Sequence, residues 1–199
     1  MVHEKIYYIF ILYTMQKINI IVGRFQPLTR GHQKCLQSIY KETGRPVMVC
    51  MIGVPDDKVD QRHPFKTSTL LPLYEDLFGD MKEVAGFRVV KNANIIQIGS
   101  DLYNEGYEVS GWVCGTDRVA SYQKMVDKYH DKAMLSDDFR LLEIKRTDDD
   151  ISATKLREAL LKGDEKGFYR GSPSISLSKY LRVDYYGILK NEIDKIYGS

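Results

Sequence analysis

The chain has 199 residues, 43% of them hydrophobic and 28% charged. That balance excludes extensive disorder, and the length is enough to bury a core without disulfides or structural metals. Its 29 basic and 27 acidic side chains leave a formal net charge of +2, too even for a protein built chiefly to coat nucleic acid or an anionic membrane.

The first apolar run, Ile6 to Tyr13, falls far short of the ~20 residues a membrane span needs and has no small-residue cleavage site. Two readings of residues 1–15 stay open: an added edge strand, or a non-catalytic extension upstream of Met15, which is preferred. From Lys17 onward short β-rich runs alternate with amphipathic stretches. Residues 18–22 predict a strand ended by Gly23 and Pro27, and 31–42 a helix. Pro46 opens a strand over 47–52, and 66–78 suits a packed helix, with Pro72 blurring its start. Strands follow at 87–90, 112–114 and 139–144, with helices at 95–105 and 118–129 between them. A helix over 152–162 stops at Gly163; a loop around 171–174 leads to one final helix, 178–196, whose Tyr180, Tyr185 and Tyr186 read as packing groups.

Five strands alternating with helices predict an α/β, Rossmann-like, doubly wound five-stranded parallel sheet with a C-terminal helical tail. The expected divisions are 1–15 as extension, 16–173 as the main domain and 174–199 as the tail. Ligands of such sheets bind beyond the carboxyl ends of the strands, where strand order reverses. The loops after the first, fourth and fifth strands are therefore the places to look for chemistry.

Cys35, Cys50 and Cys114 lack CxxC spacing and cannot all pair, so free thiols in a reducing, cytoplasmic setting are expected, Cys50 and Cys114 as buried ones. His3, His32, His63 and His130 show no HxxxH or HExxH spacing, and no metal site made of side chains is expected. After the first strand comes Gly23-Arg24-Phe25-Gln26-Pro27-Leu28-Thr29-Arg30-Gly31-His32. Glycines there allow a close backbone approach, and amides at a helix start hold an anion such as phosphate. Neither GxGxxG nor GxxxxGK[ST] occurs, which leaves a dinucleotide fingerprint and a P-loop unsupported.

Thr29-Arg30-Gly31-His32 resembles the TxGH form of the first motif of the HxGH nucleotidyltransferases, the cytidylyltransferase-like superfamily. Gly23-Arg24-Phe25-Gln26-Pro27 is similar to the opening of archaeal-type nicotinamide-mononucleotide adenylyltransferases. Ile151-Ser152-Ala153-Thr154-Lys155-Leu156-Arg157 is similar to the second motif, ISSTxxR, with Ala153 in place of a serine, about 120 residues downstream. Gly115-Thr116-Asp117-Arg118 and His63-Pro64-Phe65 are similar to the family's GxD and NPF segments, and residues 152–173 look most like phage cytidylyltransferase-like proteins.

The resemblance implies transfer of a nucleotidyl group, preferably AMP from ATP, to a small phosphorylated acceptor, preferably nicotinamide mononucleotide. Catalytic roles fall to His32, Thr29 and Arg157. Nucleotide binding falls to Gly23, Arg24, Phe25, Gln26, Gly31, Gly115, Asp117, Arg118, Ser152, Thr154 and Lys155. Mg²⁺ would be carried mainly by the triphosphate. The implied partners are ATP or another nucleoside triphosphate and the acceptor, without nucleic acid or membrane, and a homo-oligomer stays open. Alternatives are a CTP-dependent transfer to an alcohol phosphate and a nucleotide-binding regulatory module without turnover. Plainer readings compete: Ser152 and Thr154 as a helix cap, Asp117 as a cap of the next helix, Asp148–Asp150 as a solvated turn.

Overall fold

The computed structural model describes residues 15–144 and 152–198. The preferred reading of residues 1–14 as an extension, the Asp148–Asp150 turn and Ile151 of the second motif lie outside the described residues. Five strands, β1 (Gln16–Gly23), β2 (Val47–Ile52), β3 (Val84–Val90), β4 (Tyr107–Gly115) and β5 (Leu135–Ile144), form one sheet in the order β3-β2-β1-β4-β5. The pairs β1–β4, β2–β3 and β4–β5 run parallel. This is the expected Rossmann-like α/β architecture, with strand order reversing beside β1. Among the described residues no helix is long and apolar enough to cross a membrane.

The chain divides into two compact units. One comprises β1 up to Ile21 and residues 93–144, with helices α3 (Ile95–Asn104) and α4 (Val119–Tyr129). Its strand interiors are mainly apolar, with Asn19, Ser110 and Ser136 buried among them, and Trp112 of β4 stacks on Tyr122 of α4 with ring centroids 4.0 Å apart. The strands β4 and β5 are longer than the apolar runs 112–114 and 139–144 predict. Parallel pairing supplies ladder hydrogen bonds to backbone whatever the side chain, so Tyr107, Glu108, Ser136 and Asp137 join as well.

The other unit comprises residues 22–92 and 152–198 of the described chain. It holds α1 (Arg30–Thr43), α2 (Thr67–Phe78), α5 (Ala153–Leu161), α6 (Glu165–Gly171), α7 (Leu177–Arg182) and α8 (Tyr185–Tyr197) besides β2 and β3. Helix α2 runs through Pro72, which with Ser68 lies on the exposed side, where the carbonyl that loses its amide partner meets water. Helix α6 was not expected, and the single helix predicted over 178–196 is two. The cause is the same in both places. Asp164 accepts from Gly167 N at 2.8 Å and Asp184 from Gly187 N at 2.7 Å, so each aspartate caps a new helix, while Gly163 at φ 71° stops the helix before Asp164 as expected.

The C-terminal helices fasten α2. Glu192 of α8 accepts from Lys66 N at 3.1 Å and from Thr69 Oγ1 at 2.9 Å, closing the α2 N-terminus. Lys179 of α7 donates to Leu77 O at 3.0 Å and to Asp80 at the other end. Between them Tyr185, Phe168 and Phe78 are fully or almost fully buried in an aromatic cluster, each such side chain contributing roughly 1.5–3 kcal/mol. Tyr185 is the packing group expected; Tyr186 packs edge-on against Phe168, and Tyr180, though 45% exposed, packs against Tyr169. No disulfide joins Cys35, Cys50 and Cys114, and burial pushes the Cys50 thiol up to about 12.

Candidate active site

The turn that leaves β1 is fixed from inside. Gly23 ends the strand beneath the Phe25 ring, and a Cβ there would lie 3.1 Å from Phe25 Cζ, tighter than ordinary contact, so the close approach favours glycine. Phe25 itself is in the left-handed region, φ 49°, and is 6% exposed. Such a conformation persists only where the surroundings over-determine it. Here they do. Tyr74 of α2 places its hydroxyl inside the turn, donating to Phe25 O at 2.8 Å and accepting from Leu28 N at 2.9 Å; burial raises its pKa, keeping the phenol neutral.

Gln26 is 4% exposed, and its amide pairs with both backbone groups of Phe65: Nε2 donates to the carbonyl at 2.8 Å and Oε1 accepts from the amide at 3.1 Å. Its carbonyl in turn accepts from Arg157 Nη1 at 2.6 Å. The side chain expected to meet a nucleotide thus ties two loops together, and its backbone is what Arg157 grips.

Thr29 is the N-cap of α1 and is 2% exposed. Its hydroxyl accepts from His32 N at 3.2 Å, and its own N–H donates to His32 Nδ1 at 3.0 Å. This is a capping box with histidine in the place glutamate often takes. Because Nδ1 accepts, a neutral His32 carries its proton on Nε2, the donor tautomer. The ring stands edge-to-face with Phe25, centroids 5.1 Å apart. Gly31 lies in the first turn of the same helix.

The second motif opens α5. Ser152 caps it, accepting from Lys155 N at 3.3 Å, so the cap reading of this serine holds. Thr154 and Lys155 are exposed, Leu156 is buried, and Arg157 is half-buried, with Nη2 donating to Thr154 Oγ1 at 3.1 Å. Thr154 and Arg157 are thus joined across one helical turn.

One residue that the sequence reading leaves out of the site is in contact with Arg24. His63, 17% exposed at its side chain, accepts from Arg24 Nη1 at 2.5 Å through Nε2. Its Nδ1 lies 3.4 Å from Asp60 Oδ1, and Asp60 Oδ1 also accepts from the amides of Arg62 and His63. Burial lowers the His63 pKa first; Arg24, Arg62 and Arg157 add to this, and Asp60 opposes it. Three guanidinium groups thus act on one imidazole. His63 was noticed only as the first residue of an NPF-like segment. That it meets Arg24, 39 positions away, was not legible from spacing.

Gly115, Asp117 and Arg118 belong to the other unit. Asp117 and Arg118 are 77% and 63% exposed at their side chains, and Arg118 Nε donates to Asp117 at 3.2 Å. Asp117 does not cap α4, whose N-terminus has no side-chain cap; the arginine beside it takes the carboxylate instead. Thr116 donates to Glu143 at 2.6 Å.

The sequence profile described as cytidylyltransferase-like matches residues 20–159. The chain belongs to the cytidylyltransferase-like family. Membership places it among the nucleotidyltransferases, as the two motifs implied. Comparison with curated proteins gave no match. Among solved structures, the chain is similar to the Plasmodium falciparum nicotinic acid mononucleotide adenylyltransferase complexed with NaAD, with a TM-score of 0.53 and 13% identity over 87% of this chain and 98% of that one. It is also similar to a bifunctional NMN adenylyltransferase/ADP ribose pyrophosphatase from Francisella tularensis complexed with AMP and a manganese ion. There the TM-score is 0.50 and the identity 16%, over 92% of this chain and 54% of that one. At such identities the likeness is one of fold.

Proposed function

We propose that the protein transfers AMP from ATP to nicotinamide mononucleotide, forming NAD and releasing pyrophosphate. The observation that carries this reading is the β1–α1 turn, a backbone fixed by Tyr74, Gln26 and Arg157, with Arg24, His32 and His63 gathered on it. In this reading residues 16–173 carry the reaction and 174–199 brace α2. The choice of base and acceptor rests on the resemblance carried by Gly23 to Pro27, and it is in keeping with neighbours of the same fold that are adenylyltransferases of nicotinic acid mononucleotide and of NMN.

The acceptor's phosphate oxygen attacks the α-phosphorus in line, and the bond to the β-phosphate oxygen breaks as pyrophosphate leaves. No protein nucleophile is needed, so positioning and charge stabilisation are the available levers. His32, held by Thr29 with its proton on Nε2, donates to an α-phosphate oxygen as charge builds there. Arg24 binds the β- and γ-phosphates with its planar fork, and Arg157, whose Nη1 and Nη2 each keep a second N–H beyond the bonds to Gln26 and Thr154, adds donors to the same anion. Ser152, Thr154 and Lys155 bring the amide end of α5 to the same anion. Gly31 lets the triphosphate approach the backbone, while Gly23 makes room for the Phe25 ring that shapes the turn. Phe25 and Gln26 hold the shape of the turn, and Gly115, Asp117 and Arg118 keep their motif-based assignment to the nucleotide.

The donor set is cationic, and among the described residues no group of three or more His, Cys, Asp or Glu side chains could hold a metal ion. That set does not fit a protein-held Mg²⁺. The ion would enter as part of the substrate, carried by the triphosphate.

Incubating the protein and Mg²⁺ with each triphosphate and a panel of phosphate acceptors, while following pyrophosphate, tests the reading. ATP with nicotinamide mononucleotide should react fastest. Faster release from CTP with glycerol phosphate would instead make it a cytidylyltransferase. Binding without turnover would favour a regulatory module, a reading to which the Thr29 hydroxyl, engaged with His32 in the cap, lends some weight.

A further inference from the structure

We infer that His63 is a proton-linked anion-binding residue: as a neutral imidazole it holds Arg24, and when a diphosphate or triphosphate takes Arg24 it gains a proton and becomes a donor to the same ligand. The inference rests on the phosphate-site reading above and adds to it a residue and a pH dependence. Arg24 Nη1 donates to His63 Nε2, which fixes the imidazole as neutral, with its own proton on Nδ1 toward Asp60 Oδ1 at 3.4 Å. A neutral nitrogen is a weaker acceptor for a guanidinium than a phosphate oxygen, whose negative charge adds Coulomb attraction and whose neighbouring oxygens can take both arms of the fork. An arriving polyphosphate therefore displaces His63 from Arg24. The proton that His63 then binds at Nε2 comes from solvent.

The surroundings set the direction. The charged and titratable groups acting on His63 are Asp60 and Arg62 of its own loop, Arg24 of the β1–α1 turn and Arg157 of α5. Tyr197 of α8 fastens the loop by donating to Gln61 O at 2.7 Å and also lies within electrostatic range of Arg157. Burial first, and three of these groups as cations, keep the imidazole from ionising, against one carboxylate. A bound polyphosphate offsets the cations and supplies acceptors, so the pKa of His63 is higher in the complex than in the free protein. Binding then takes up a proton between the two values. Affinity rises as pH falls through the bound-state pKa and levels off below the free-state one, which lies under the ordinary 6.5.

The test measures calorimetric binding of inorganic pyrophosphate to the full chain and to His63→Gln between pH 5.5 and 8. Glutamine keeps an acceptor for Arg24 but does not titrate, and protonation of the ligand itself is common to both proteins. The ratio of wild-type to variant affinity should rise about tenfold toward the acid end, the effect of one pKa unit. In proton NMR of the wild-type protein, the assigned His63 ring signal should titrate at higher pH with pyrophosphate than without. That measurement decides the matter even if the variant fails to fold. Parallel affinity profiles or an unmoved titration would overturn the role of His63 and leave the phosphate site standing. No pyrophosphate binding by the wild-type protein at any pH would overturn both.

Discussion

The turn after β1 and the loop after β4 carry two of the three nucleotide segments suggested by motif, and they are built in opposite ways. Between Gly23 and His32 the backbone is held at Phe25 and Leu28 by Tyr74, at Gln26 by Arg157, and at Thr29 by the ring of His32. Between Gly115 and Arg118 the side chains are largely exposed, and the bonds they make are with near neighbours in chain or strand. The first region has its shape before any ligand arrives, so substitutions there should disturb stability and chemistry together. The second can lose a side chain at little structural cost. Preorganised donors cost no rearrangement in the transition state, which places the chemical burden on the first region.

The sharpest way to break the comparison is His32→Ala. It removes the donor proposed for the transition state and should lower turnover about 10²-fold or more, while loss of its half of the capping box costs only about 1 kcal/mol of stability. Steady-state kinetics alongside urea denaturation separates the two, and a turnover loss no greater than the stability loss implies would return His32 to a capping role. Tyr74→Phe acts one layer deeper. It leaves Leu28 N and Phe25 O without their partner, which should cost about 1–3 kcal/mol and slacken the turn enough to lower kcat about tenfold with little change in KM. An unchanged kcat in a destabilised protein would mean the turn is held well enough without the phenol. Smallest is Arg118→Ala, which should leave stability within about 0.5 kcal/mol and weaken ATP binding about fivefold, near the value of an exposed charge pair. A cooperative loss of stability there would erase the contrast.

Much of the site was legible as local pattern. The TxGH stretch reads as a helix start after a strand, and Thr29 caps that helix. Ser152 opens the second motif helix as a cap. The partners of these residues were not legible. Gln26 was read as a nucleotide contact because of its neighbours, whereas its amide is committed to Phe65. His63 gave no signal of its own. The stop at Gly163 is legible, whereas the helix capped by Asp164 and the break before Asp184 are marked only by an aspartate three residues before a glycine.

By itself the sequence determined the alternation of strands and helices, the parallel sheet and the two motifs, since each depends on side-chain period and on residues within a few positions of one another. Tertiary structure decided which of those motif residues face chemistry and which hold the scaffold. Arg157 reaches Gln26 across 131 positions, Glu192 caps α2 across 126 and 123, and Tyr74 enters the turn across 49 and 46. Contacts at such separations are set by how helices pack, which periodicity does not encode. A guanidinium or a phenol has the same letter in the sequence whether it grips a carbonyl or a phosphate.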